Sequence, residues 1–196
     1  MTSSALILGF DCAGPHCAAA LLLGDHLLLE QVDPMSRGQA ERLMPMLEEM
    51  LTEAGKSWRD LDAIGVGVGP GNFTGIRIAV SAARGLALGL AVPAVGVTGC
   101  EARAGLAPDG YTEAIPAPRD QIYLCSGTAP QLMSAADAEA TVGPIWADPS
   151  PTGLAANIAR ITATRWRHNP PAPAPLYLRA ADAAPARDVP PPLIDP

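Results

Sequence analysis

The sequence predicts an α/β fold in two lobes, with mixed sheets covered by helices and the second lobe abbreviated. Three observations predict it. The chain opens with three short apolar runs in succession, then alternates long helical periods with apolar runs to about residue 105, and afterwards thins into short segments and prolines. A meander followed by alternating helices and strands implies a sheet with both antiparallel and parallel neighbours. At 196 residues and 48% hydrophobic, the chain can bury a core of that size.

Ala5–Asp11 is a bounded apolar run and reads as the first strand. Ala18–Leu23 and His26–Val32 are two more, joined by Gly24-Asp25, a two-residue hairpin connection. A helix is expected from Gln39 to Ala54, stopped by Gly55. Ser57-Trp58-Arg59-Asp60 has capping-box spacing and starts a short turn. Ile64–Val68 is a fourth strand, Thr74–Leu90 a second long helix, and Ala94–Thr98 a fifth strand with a helix after it. This order is that of the ribonuclease-H-like folds, which include the actin-like ATPases and sugar kinases. Short strands are expected at Glu113–Ile115, Ile122–Cys125 and Pro144–Ala147. Ser150-Pro151 reads as a helix start, with Ser as cap, for a helix to about His168. Nine prolines fall between Pro170 and Pro196, where Leu176-Tyr177-Leu178-Arg179 alone has the character of a docking segment. The division is a first lobe over 1–105, a smaller second lobe over 106–180 and a proline-rich tail over 181–196.

Charge limits the partners. A net charge of −7 with 13 Lys and Arg argues against a surface that tracks nucleic-acid phosphates or anionic lipid. Cysteines 12, 17, 100 and 125 form no CxxC pair, so free thiols in a reducing compartment are expected. Cys12, His16 and Cys17 fall close together, but no second cluster completes a tetrahedral set. The first apolar run lacks a basic stretch before it and is too short to span a bilayer, so a cytoplasmic protein is expected.

The turn Gly69-Pro70-Gly71-Asn72-Phe73-Thr74-Gly75 joins a strand to a helix, a place where anions bind. Its spacing fits neither a Walker loop, since Ile76-Arg77 follows the last glycine, nor a dinucleotide fingerprint. The simpler expectation is a sharp turn with positive φ at glycine and Thr74 capping the helix. In that helix Ala79, Ala83 and Ala87 recur every four residues, as do Ser81, Gly85 and Gly89. One such flat row serves to pack on a sheet; two predict contacts on both sides. In the first helix Leu43, Met44, Met46, Leu47, Met50 and Leu51 span an arc of about 160°, wider than the ~100° stripe of a helix covering one core. The surplus predicts a protein–protein face on these two helices, carried by Leu43, Met46, Leu47, Met50, Ala79, Ala83 and Leu86.

Catalytic groups are scarce. Asp11 ends the first strand, where ribonuclease-H-like nucleases and actin-like ATPases keep an acid, but the fourth strand ends in Gly69-Pro70-Gly71 with no second carboxylate. Cys12-Ala13-Gly14-Pro15 offers few side-chain donors for a phosphate. His16, His26 and His168 read as surface or hairpin residues, and no Ser/His/Asp set suggests itself. A small ATPase or kinase using Asp11, Gly69, Gly71 and Thr74 is the competing reading.

"ILGFDCAG", "SRGQAERLMPMLEEMLTEAG", "LDAIGVGVGPGNFTGIRIAVSAARGLALGL" and "VPAVGVTG" together resemble the TsaB (YeaZ) family, and "PLYLRAADA" resembles its closing segment. These are dimerisation subunits of the bacterial tRNA threonylcarbamoyladenosine machinery. The resemblance implies an actin-like (ASKHA, ribonuclease-H-like) fold and kinship to a catalytic subunit, TsaD, which binds metal through a His-x-x-x-His segment. Gly99 and Arg103 stand at those two positions. It further implies a non-catalytic scaffold with no cofactor of its own, ATP and metal residing on the catalytic partner. Implied partners are TsaD and the ATPase subunit TsaE, with a homodimer in isolation and only indirect contact with tRNA. Departures from the family are Cys12-Ala13 after the first-strand Asp, and Pro116 where the mid-chain segment carries an acid.

Overall fold

A computed structural model describes residues 4–127 and 129–178. The expectations for Arg179 and for the tail at 181–196 lie outside the described residues. The first sheet contains β1 (Leu6–Asp11), β2 (His16–Leu23), β3 (His26–Pro34), β4 (Ala63–Gly67) and β5 (Ala94–Val97), in the order β3-β2-β1-β4-β5. The first three strands pair antiparallel through the expected hairpin, while β1 with β4 and β4 with β5 are parallel. The parallel register follows from the crossover helices that separate those strands in the chain.

Side chains alternate across this sheet in size as well as direction. Leu6, Leu8, Phe10, Leu21, Ile64 and Val66 share one core with α1 (Gln39–Glu53) and α2 (Phe73–Leu90). Each such fully buried side chain contributes about 1.5–3 kcal/mol of transfer free energy. The other face carries Ile7, Ala18, Ala20 and Ala63, covered by α5 (Leu154–Arg165) through Ala155, Ala156 and Ala159. A Cβ on Gly9 would stand 2.7 Å from the Ala155 carbonyl, and one on Gly65 would strike Thr162 and Ile158. Small residues on both surfaces thus let α5 approach the sheet closely.

The second sheet is β6 (Thr112–Ala117), β7 (Gln121–Leu124), β8 (Gln131–Ser134) and β9 (Ile145–Trp146), in the order β8-β7-β6-β9. Only β6 and β9 are parallel. The helix after β5 is α3 (Gly99–Arg103), closed by a Thr98–Glu101 capping box, and α4 (Ala135–Val142) packs Ala138 on the second sheet. Neither β8 nor α4 was expected from the sequence.

Three local expectations are corrected. Asn72, not Thr74, caps α2, its side chain accepting from the Gly75 N–H at 2.8 Å. The helix expected from Ser150 begins instead at Leu154, after Gly153 at φ 90°. There Glu30 of β3 accepts from the Gly153 and Ala156 amides at 3.0 and 3.3 Å, so a carboxylate from a neighbouring strand supplies the cap. Finally, α5 falls in the 106–180 span yet packs on the first sheet, so that span is not a single packing unit.

Candidate functional site

The glycine turn lies at the floor of a cleft between the two sheets. The cleft holds about 730 Å³ and is lined by Asp11, Ala13, Gly71, Thr74, Arg103, Ile115, Tyr123 and Leu176 among others. Gly69 takes φ 93°, as the turn requires, and a Cβ on Gly75 would collide with the Cys12 carbonyl. These glycines therefore serve close packing of the turn on the end of β1. The turn is further covered by the C-terminal segment. Leu176 N–H donates to the Val68 carbonyl at 2.8 Å, the Tyr177 ring lies 4.7 Å from Phe73, and Arg77 Nε donates to the Tyr177 hydroxyl at 2.9 Å. The docking expected of Leu176-Tyr177-Leu178 is present for the described part.

Asp11, Gly71 and Thr74 line the cleft, while Gly69 sits behind Ile76 and Leu176. Asp11 is already engaged: its Oδ1 accepts from the Ala13 N–H at 2.8 Å and faces His16 Nε2 at 2.9 Å. A carboxylate only accepts, so the hydrogen of that pair sits on Nε2. His16 is 1% exposed, and its Nδ1 lies 3.0 Å from the Ser150 hydroxyl. The expectation of a surface histidine and of no Ser/His/Asp set is therefore corrected: β2 starts at His16, earlier than its apolar run suggests, and places the ring inside. Ser150 does not line the cleft, and Glu30 takes the nearby amides of Gly153 and Ala156, which leaves them unable to stabilise an oxyanion. The three side chains bind β1, β2 and the approach to α5 together.

Cys12 and Cys17 are free and buried, their sulfurs 3.6 Å apart; the hydrogen bond they share, together with burial, pushes the Cys12 thiol far up. His16 faces away from them toward Asp11, and among the described residues no three His, Cys, Asp or Glu side chains gather as metal ligands. Cys100 and Cys125 correct the free-thiol expectation, being joined in a disulfide with Cα atoms 5.3 Å apart. Packing of α3 against β6 brings them together, which spacing along the chain does not reveal.

The positions of the metal-binding histidines implied by the resemblance are Gly99 and Arg103, and both line the cleft. Glycine supplies no ligand and a guanidinium repels a dication, so these residues do not fit a metal. Arg103 is 3% exposed, and its Nη1 donates to the Asp148 carbonyl at 2.7 Å. Burial lowers its pKa against the partly compensating fields of Asp11 and Asp148.

The partner face differs from its sequence-based form. Leu43, Met46, Leu47, Met50, Ala79 and Ala83 are all buried in this chain's own core, and Leu86 is half-buried against it. The wide apolar arc of α1 has a simple cause, since α1 lies in the angle between the sheet and α2 and must satisfy both. On α2 the row Ala79–Ala83 faces the sheet, whereas Ser81, Gly85 and Gly89 face outward, with nothing within 4 Å of a Cβ on either glycine. Leu88 beside them is 85% exposed. This helix is long and apolar enough to cross a membrane by length and composition alone, and 28% of it is buried in this chain. Arg77 and Arg84 on α2 are exposed, as are Glu41, Glu48 and Glu53 on α1.

Comparison with known proteins places this architecture. The family model for TsaD, tRNA N6-adenosine threonylcarbamoyltransferase, matches residues 33–146. An uncharacterized protein of Mycobacterium tuberculosis (strain ATCC 25618 / H37Rv) is 32% identical over 206 aligned positions, covering 91% of this chain and 94% of that protein. The tRNA threonylcarbamoyladenosine biosynthesis protein TsaB of Escherichia coli (strain K12) is 39% identical over 92 residues, 47% of this chain and 39% of that protein. A solved Pseudomonas aeruginosa protein, described as uncharacterized with similarity to peptidase YEAZ, superposes with a TM-score of 0.70 at 25% identity, over 89% of this chain and 100% of that one. With its two mixed sheets and a family match over more than half its length, the chain belongs to the tRNA N6-adenosine threonylcarbamoyltransferase family, on its TsaB/YeaZ branch.

Proposed function

We propose that this chain works in tRNA threonylcarbamoyladenosine biosynthesis as a non-catalytic subunit that docks a paralogous catalytic subunit through the outward face of α2. The family membership and the biosynthetic role of its named relatives supply the pathway. The observation that carries the docking is the exposed row Ser81, Gly85, Leu88 and Gly89 on an apolar helix. A row without side-chain bulk lets a second helix approach to backbone distance, and Leu88 provides an apolar anchor beside it. The exposed Arg77 and Arg84 of α2 give the face a charge that orients a partner. Gly99 and Arg103 in the cleft support the non-catalytic assignment, since neither can hold the metal of the catalytic relatives. ATP and metal then reside on that partner, TsaE acts through the assembly, and tRNA phosphates meet the partner rather than this acidic chain. A second copy of the chain occupies the same face in isolation.

Co-expression with the catalytic subunit tests this. Gly85→Arg and Leu88→Asp each add bulk or charge to the outward row and are expected to abolish co-purification while the isolated chain stays folded. Undiminished capture by both variants would sink the docking face.

A further inference from the structure

We propose that the cleft between the two sheets binds a small organic oxyanion through the guanidinium of Arg103. This inference is independent of the α2 docking face and survives or fails separately. The cleft volume, about 730 Å³, lies in the range of pockets that enclose metabolite-sized ligands. Its walls are largely apolar, with Ile115, Pro116, Pro118, Leu154 and Leu176, and such walls suit the carbon framework of a ligand rather than a bare ion.

Arg103 is the charged group placed for recognition. A guanidinium carries five N–H donors, of which one is accepted here, by the Asp148 carbonyl. Among the described residues no carboxylate pairs with it at ion-pair distance. No buried side-chain nitrogen or oxygen among them lacks a hydrogen-bond partner, so the remaining Arg103 nitrogens must be reached by solvent. Arg103 lines the cleft, and that is where they open. A guanidinium this buried, with Asp11 and Asp148 compensating only in part and no carboxylate paired to it directly, is costly, and an oxyanion accepting two parallel N–H bonds offsets that cost.

The surroundings favour an anion over a metal. Asp11 is the other charged group lining the cleft, and its Oδ1 is occupied by His16 and the Ala13 amide. Phe73 and Thr74, in the first turn of α2, line the same cleft, and their backbone amides have no acceptor among the described residues. They add donors on a second wall. Two oxyanion classes carry this chemistry, phosphate monoesters and carboxylates, and AMP and hexanoate represent them.

The test is calorimetric titration of the full chain in magnesium-free buffer with AMP and, separately, with hexanoate. Saturable binding of one probe is expected with a dissociation constant below about 1 mM, and the responding probe identifies the class. Arg103→Gln should weaken it at least about tenfold, with Arg103→Lys between the two. Ala117→Phe crowds the cleft and leaves Arg103 in place; it should also remove binding, and it carries the test alone if circular dichroism shows Arg103→Gln unfolded. Failure of both probes to saturate overturns the proposal. So does undiminished affinity in folded Arg103→Gln, undiminished affinity in Ala117→Phe, or binding that appears only when magnesium is added.

Discussion

Nε2 of His16 lies 2.9 Å from Oδ1 of Asp11, with both side chains buried and Ser150 on the far side of the ring. Replacing His16 by Leu strands a buried carboxylate with one remaining donor. The expected loss is about 2–3 kcal/mol in urea denaturation. Ser150→Ala, which removes a half-buried hydroxyl, should cost about 1 kcal/mol. Equal, negligible effects of both would show that the triad holds nothing together.

The two faces of α1 and α2 should separate cleanly. Leu47→Ala opens a cavity in the core and is expected to cost about 2–5 kcal/mol. Leu88→Ala, at an exposed position, should change monomer stability by less than about 0.5 kcal/mol. Thermal denaturation in dilute solution checks both; a large loss at Leu88 would mean that it packs within the chain.

The C-terminal segment is held to the glycine turn by Tyr177 against Phe73 and Arg77. Tyr177→Ala removes one aromatic contact and one hydrogen bond at an exposed site, worth about 1–2 kcal/mol together. Hydrogen exchange should report faster exchange of the Leu176 amide, which donates to Val68. Unchanged protection there would place the anchor elsewhere.

Acid should weaken the fold through two carboxylates. Burial pushes Asp33 up, but hydrogen bonds from Gln31 and Arg42 outweigh it and hold the group below its ordinary 3.8. Burial likewise raises Glu101, yet Arg165 and Thr98 bring it below 4.5. A depressed carboxylate contributes stability that is complete above its unfolded pKa and is lost as pH falls through the folded value. Urea midpoints should hold from neutrality to about pH 5 and drop below about pH 4. Combining Arg42→Met with Arg165→Met should shrink that drop; an unaltered drop would assign acid sensitivity to other groups.

The Cys100–Cys125 bond closes a loop with a sequence separation of 25 and joins α3 to the end of β7. Constraint of the unfolded chain by such a loop is worth about 3 kcal/mol. Cys100→Ser with Cys125→Ser should lose that amount relative to the oxidised chain and nothing relative to the reduced one. A wild-type midpoint insensitive to reductant would contradict the linkage.

Much of the first lobe is legible in sequence because its signals are local. Gly24-Asp25 announces a hairpin, and four-residue spacings announce α1 and α2. What was misread depends on neighbours remote in the chain. His16 looks like a surface or hairpin residue until Ser150, 134 positions away, is brought beside it. Leu47 and Ala83 look surplus until α1 is seen to touch a sheet and a second helix at once. Glu30 caps α5 from 123 residues away, so Ser150 was assigned a role it does not have. In the second lobe, β8 and α4 are too short to show a period, and Ala138 is the single fully buried residue of that helix. Arg103 was legible as a departure from the family but not as a cation inside a cleft, because exposure is a property of the assembled fold.

The position of α5 has a consequence for synthesis. A ribosome releases the five central strands well before residues 154–165, so the alanine-lined back of that sheet emerges bare. Until the late helix arrives, nascent chains present an unshielded, closely approachable surface to one another. Translation pausing near residue 150 should accordingly leave a species that chaperones retain.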